Sequence, residues 1–253
     1  MKNIIFYFSA TGNSLQAAND IAEALGECAV VSMAGYEKSS AVTAERVGFV
    51  FPVYHWGLPN LVKVFLKEIR PEEDSYIFAA VTCGGEPGTA LQQADALLRL
   101  HNGKLHSGFI TIMPTNYILL YEVESRERQA ELFEKERLKA QEIAGIIRSK
   151  KVQELEKSGN LAERLGGKLI NSMAAGRYPG RDSGFRPNNS CTGCGLCEKT
   201  CKVNNITMVN GRPSWNHHCE FCLGCLHHCP AKAIDYKNVT QKKNRYLNPN
   251  VKI

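Results

Sequence analysis

The 253-residue chain lacks any apolar run near the roughly 18 residues that a membrane-spanning helix needs. It also lacks a leader pattern. The apolar stretch Ile4-Ile5-Phe6-Tyr7-Phe8 is too short for a signal core, and no small-residue cleavage site follows it. No acid–base or nucleophile constellation stands out of the kind that an enzyme acting on a demanding substrate requires. Cysteine is nearly absent before residue 190, where only Cys28 and Cys83 occur. These absences disfavour secretion, a membrane anchor and a disulfide scaffold, and leave a cytoplasmic globular protein as the expectation. With 43% hydrophobic and 22% charged residues, the chain has enough apolar material for one or two cores.

What is present divides along the chain. The apolar run at residues 4–8 has the pattern of a strand buried on both faces of a parallel sheet. After Ser9-Ala10-Thr11-Gly12-Asn13-Ser14, the residues Leu15, Ala18, Ile21, Ala22 and Leu25 recur at helical spacing. Further strands are expected at 28–33, 47–51, 76–82 and 108–113. Helices are expected between them, one faced by Leu61, Val62, Phe65, Leu66 and Ile69 and another from Thr89 to Leu100. Strand–helix alternation predicts an α/β fold with a parallel sheet. Residues 122–175 are highly charged, with amphipathic spacing that suits a sheet-covering helix and an extension rather than a coiled-coil surface. Residues 176–190 read as a linker, and Arg177, Arg181 and Arg186 within it as solvated charge.

The remaining eight cysteines form two copies of one pattern. Cys191, Cys194, Cys197 and Cys201 are spaced C-x-x-C-x-x-C-x-x-x-C, and Cys219, Cys222, Cys225 and Cys229 repeat it before Pro230. Three thiolates three residues apart can wrap three corners of an iron–sulfur cube. Structural zinc prefers two separated pairs and makes poor use of such triplets. Gly195 and Gly224 suit loops whose backbone passes close to sulfide, and Asn210-Gly211 between two short apolar runs predicts a hairpin. His217, His218, His227 and His228 flank the second motif and are expected at the surface. Residues 186–236 closely resemble a bacterial-type ferredoxin with two 4Fe–4S clusters. The resemblance implies crossed ligation, in which Cys191, Cys194, Cys197 and Cys229 hold one cluster and Cys219, Cys222, Cys225 and Cys201 the other. Lys202 departs from the family's usual proline.

The hydroxyl-rich loop at residues 9–14 joins a buried strand to a helix, so its N–H groups face the positive end of the helix dipole. It is neither a Walker loop nor a G-x-G-x-x-G turn. In this position it resembles the phosphate loop of flavodoxins, and the likeness spans about residues 1–120. The resemblance implies a doubly wound five-stranded sheet in the order 2-1-3-4-5, with non-covalent FMN at the switch point. Ser9, Thr11, Gly12, Asn13 and Ser14 would hold the phosphate. Pro52, Tyr54, Trp56 and Gly57 of the loop after strand three would flank the ring, with Tyr54 or Trp56 stacked on it. Thr82, Cys83, Gly84 and Gly85 would offer backbone groups to its edge, and Cys83 is expected to be an inert thiol.

Taken together, the sequence reads as a flavodoxin-like domain at 1–175 with a helical extension, a linker at 176–190, and an α+β dicluster ferredoxin domain with tail at 191–253. Residues 191–253 carry a net charge of +6, which alone would suggest a polyanion partner. Eight thiolates around two oxidised cubane cores would add about −4 and a flavin phosphate about −2, so nucleic acid is not expected. The pattern resembles flavodoxin–ferredoxin fusion proteins of anaerobic prokaryotes and implies electron transfer with redox partner proteins. Two alternatives stay open: an FMN-dependent oxidoreductase that reduces a quinone or other small acceptor, and a binding or regulatory module whose flavodoxin-like domain is empty.

Overall fold

A computed structural model describes residues 1–36 and 42–253. In chain order the first half contains β1 (Asn3–Tyr7), α1 (Asn13–Leu25), β2 (Cys28–Ser32), β3 (Arg46–Pro52), α2 (Asn60–Glu68), β4 (Tyr76–Cys83), α3 (Ala90–Leu98) and β5 (Ser107–Ile112). All five strands run parallel in the order β2-β1-β3-β4-β5, the flavodoxin order expected from the sequence. Strand bounds fall within a residue of those expected, because each strand is centred on a short run of apolar residues. Phe6, Phe49 and Phe51 point to one face of the sheet and pack with Phe65 and Leu66 of α2. Ile5, Val50, Phe78 and Phe109 fill the other face beneath α1 and α4. Burial of each such side chain contributes about 1.5–3 kcal/mol.

The second half begins with α4 (Arg126–Arg148), whose Ala140, Ile143 and Ile147 close the sheet beside α1. It continues with α5 (Leu161–Ala175), α6 (Tyr178–Arg181), β6 (Phe185–Pro187), α7 (Leu196–Lys199), β7 (Ile206–Val209), β8 (Arg212–Trp215), α8 (Gly224–His228) and β9 (Ile234–Tyr236). The hairpin β7–β8 turns at Asn210-Gly211, both with positive φ, as the sequence predicts. The stretch read as a linker behaves differently from a solvated tether. Its β6 pairs antiparallel with β9, Tyr178 is fully buried, and buried Asp182 accepts hydrogen bonds from Asn205 Nδ2 and the His217 N–H. Arg181 is not mere solvated charge either, since its guanidinium lies 4.7 Å over the Phe221 ring. Among the described residues, no helix is long and apolar enough to cross a membrane.

A polar knot fixes α1. Gln16 Nε2 donates to Glu136 on α4, while Gln16 Oε1 accepts from Asn248 Nδ2 at 2.8 Å. Glu136 is 2% exposed, and burial pushes its carboxyl up to about 9, with Asp20 adding to the rise and the Gln16 amide opposing it. The folded protein therefore keeps a proton that the unfolded chain releases above its ordinary value of 4.5. Stability from this group is present in acid and is lost as pH climbs from that value towards 9. Glu136→Gln is expected to flatten this slope, adding about 2 kcal/mol at pH 8 and little at pH 5. Melting curves at the two pH values check it, and parallel profiles for variant and parent would refute it.

Candidate functional site

The first candidate centre lies at the carboxyl ends of the strands, where the sheet order reverses between β1 and β3. A cavity of about 780 Å³ opens there. Its walls bring together Ser9, Thr11, Asn13 and Ser14 after β1, Pro52, Tyr54 and Trp56 after β3, and Thr82, Cys83, Gly84 and Gly85 at the end of β4. Gly12 and Gly57 are not among the lining residues. Gly12 sits at φ +101°, and a Cβ there would meet Asn248, Val251 and Ile253 at 2.7–2.9 Å. Gly57 closes a tight turn against Tyr54, where a Cβ would collide with Gln93 and Asn171.

The hydrogen bonds around the first loop leave donors pointing into the cavity. Ser9 Oγ accepts from the Gly12 N–H at 3.0 Å, and Thr11 Oγ1 accepts from Asn116 Nδ2 at 2.8 Å. Each hydroxyl thus serves as an acceptor on the protein side and keeps its own O–H proton for a ligand. The N–H groups of Asn13, Ser14 and Leu15, in the first turn of α1, have no intrahelical acceptor. An anion of phosphate size fits such a set. The Asn13 side chain is occupied otherwise: its Nδ2 donates to Pro114 O, and its Oδ1 accepts from Tyr246 Oη and Asn248 Nδ2. Ser14 and Thr82 bond each other through their hydroxyls at 2.7 Å. Burial pushes the Cys83 thiol up to about 12, so it stays protonated and unreactive.

The cysteine motifs form two further groups. Cys191, Cys194, Cys197 and Cys229 line one small cavity, with Met208, Pro213 and Ile234 behind them. Cys201, Cys219, Cys222 and Cys225 lie together, close enough that each buried thiol is felt by its neighbours. This partition has the fourth cysteine of each motif beside the first three of the other. No three His, Cys, Asp or Glu side chains among the described residues converge on a point that would hold a single metal ion. Backbone N–H groups donate to several of the sulfurs: Asn205 to Cys201 at 3.1 Å, Phe221 to Cys219 at 3.2 Å and Ala233 to Cys229 at 3.2 Å. Trp215 Nε1 is buried without a conventional partner and faces Cys225. Burial raises the Cys222 thiol to about 12, a cost that a cationic core held by the thiolate would offset. Sulfur-only donors with N–H groups aimed at them fit iron–sulfur clusters.

The two motifs repeat backbone geometry as well as spacing. Gly193 and Gly195 adopt positive φ in the first motif, and Phe221 and Leu223 occupy the same places in the second. Bulky residues held in this region cost about 1 kcal/mol each, so the second loop is over-determined by its surroundings. Gly224, by contrast, opens α8. A Cβ there would stand 3.5 Å from Cys222 Sγ and 3.7 Å from Ala10 O, so the cysteine loop lies in contact with the loop after β1.

That approach is a built seam. Phe221, Cys222 and Leu223 form part of the wall of the 780 Å³ cavity. Glu220, 4% exposed, accepts from the N–H groups of Asn60 and Leu61 at the start of α2, the latter at 3.0 Å. His228 Nε2 meets Ala10 O at 3.0 Å. His227 Nδ1 accepts from the Tyr246 N–H, which assigns its proton to Nε2, the donor to Asn116 O at 2.8 Å. His217 and His218 are exposed as expected, but His227 and His228 are buried because both rings face the other domain. Asn171, 1% exposed, donates from Nδ2 to Tyr54 O and Leu58 O and so fixes the loop after β3. Glu220, Asn171 and Tyr178 carry no local sequence signal, since their partners lie more than 110 residues away.

Residues 4–103 match the family model of a flavodoxin domain, and residues 190–245 match that of a 4Fe-4S dicluster domain. The chain thus contains a flavodoxin domain and a 4Fe–4S dicluster ferredoxin domain, which point to a flavin, to iron–sulfur clusters and to electron transfer. Similar solved structures include a flavodoxin of Streptococcus pneumonia TIGR4, 15% identical with a TM-score of 0.39, covering 57% of this chain and 97% of that one. An azoreductase from Bacillus anthracis str. Sterne is 12% identical with a TM-score of 0.39, covering 57% and 99%. An FMN-dependent NADH-azoreductase from Bacillus anthracis str. Ames Ancestor, in complex with FMN, is 9% identical with a TM-score of 0.39, covering 58% and 98%. No curated protein matches the sequence.

Proposed function

We propose that the chain is an electron carrier in which one FMN and two 4Fe–4S clusters stand in series, passing electrons between external redox partner proteins. The observation that carries this reading is the shared wall: Cys222, a ligand of the second cluster in this scheme, lines the same cavity as the phosphate loop. The flavin supplies exchange between paired and single electrons, and each cluster moves one electron at a time. The protein's part is position. Ser9, Thr11 and the first turn of α1 bind the phosphate, and the loops at Tyr54–Trp56 and Thr82–Gly85 bracket the ring. Cys219, Cys222, Cys225 and Cys201 hold the near cluster, and Cys191, Cys194, Cys197 and Cys229 the far one. Cys194 is exposed, so the far cluster is the one that meets an external partner.

The cavity mouth favours a second reading. Trp56, Leu120 and Tyr121 are exposed there, an apolar rim on which a flat acceptor such as a quinone could rest against the flavin. Anaerobic purification with iron, sulfide and flavin counts tests the first reading. About eight irons and one FMN per chain are expected. Zinc alone, or a colourless protein, would overturn it, and steady turnover with a quinone would favour the second.

A further inference from the structure

Tyr54 belongs to both cores of the molecule. On the sheet side its ring meets Phe8 edge-on with centroids 6.3 Å apart, and on the other side it meets Tyr178 edge-on at 6.4 Å. The backbone around it is pinned. Tyr54 and Gly57 exchange N–H···O bonds of 2.9 and 3.1 Å across a turn that holds His55 and Trp56 at positive φ, and Asn171 Nδ2 donates to Tyr54 O at 2.7 Å. The loop that carries the ring is therefore fixed.

At the end of the ring the hydroxyl is buried and has no hydrogen-bond partner. Orphaned buried donors are rare, and each calls for a missing acceptor. Tyr54 packs in the same apolar clusters as Cys222 and Cys219, and with Cys222 it lines the wall of the cavity. Both Glu220 oxygens already accept from the amides of Asn60 and Leu61, and the Tyr178 hydroxyl is engaged with His55 Nδ1 at 2.8 Å. The sulfurs remain. Trp215 Nε1, another buried donor without a partner, faces Cys225 of the same set. Two buried donors from different domains thus lie beside this group of cysteines, Tyr54 from the loop after β3 and Trp215 from β8, the latter directed at Cys225.

We infer that the Tyr54 hydroxyl donates a hydrogen bond to a sulfide of the second iron–sulfur site, and that its ring is the contact between the flavin cavity and that site. The inference rests on reading Cys219, Cys222, Cys225 and Cys201 as cluster ligands. A donor aimed at cluster sulfur favours the more negative, reduced state and so raises the reduction potential. Tyr54 is then a tuning residue, and the stacking role expected for it leaves Trp56 as the free aromatic at the cavity mouth, where it is 37% exposed.

The test is a redox titration of the holoprotein, followed by EPR, for the parent, for Tyr54→Phe and for 3-fluorotyrosine placed at position 54. Tyr54→Phe is expected to retain full iron and sulfide and to shift the second site's midpoint negative, with the first site nearly unmoved. Fluorotyrosine, a stronger O–H donor of nearly the same size, is expected to shift it positive. Equal midpoints with full iron in all three proteins would overturn the inference. If Tyr54→Phe loses iron, the fluorotyrosine protein decides: a positive shift supports the hydrogen bond and no shift refutes it. A parent protein with no iron would instead refute the cluster reading, and the inference with it.

Discussion

Replacing Cys229 by serine is expected to remove the iron–sulfur site of the first motif and leave that of the second intact. Cys229 belongs by sequence to the second motif, but its side chain lines the cavity of Cys191, Cys194 and Cys197, and it accepts the Ala233 N–H there. Serine oxygen is a poor ligand for a soft thiolate site, so iron should fall from about eight to about four per chain. Cys201→Ser should produce the mirror result, because Cys201 lies with Cys219, Cys222 and Cys225. Iron analysis with EPR of each reduced variant separates the outcomes. Loss of the second site in Cys229→Ser would mean uncrossed ligand sets.

The second large effect is expected at Glu220. Its carboxylate joins the two domains by capping α2 between two cysteines of the near site. Glu220→Ala leaves two buried N–H groups without acceptors, a loss of about 1–3 kcal/mol. More consequential is the seam itself. With the cap gone, the loop carrying Phe221 and Cys222 is released from the cavity wall, and electron transfer falls off exponentially with distance. After photoreduction of the flavin, equilibration with the clusters is expected to slow at least tenfold, with iron and flavin contents unchanged. Glu220→Gln keeps one acceptor and should fall between parent and alanine variant. Equal rates in all three proteins would show that the cap does not set the distance.

Local chemistry made much of this molecule legible. The five strands announce themselves as apolar runs such as Ile4–Phe8, and the glycine–asparagine turn at residues 210–211 marks its hairpin. Both cysteine motifs are read from spacing alone. What was hidden depends on tertiary approach. The stretch at 176–190 looks like a tether because its glycines, prolines and arginines have a tether's composition, yet Tyr178 and Asp182 find buried partners that no local pattern encodes. The histidines at 227 and 228 look like surface residues until Ala10 O and Asn116 O arrive from the other domain. Glu220 stands between Cys219 and Cys222 at a position the spacing leaves unspecified, and its role comes from a helix start 159 residues earlier.

The last residues lie on the first helix. Tyr246 and Asn248 hold Asn13 and Gln16 across as many as 235 positions, and Asn248 N–H also meets Thr11 O. A contact of such separation is among the last to close during folding. On the ribosome, the loop at residues 9–14 is therefore braced only after residue 248 has emerged from the exit tunnel. A nascent chain halted before Tyr246 carries β1 to β9 and both cysteine motifs, yet the outer side of the loop at residues 9–14 still lacks its buttress.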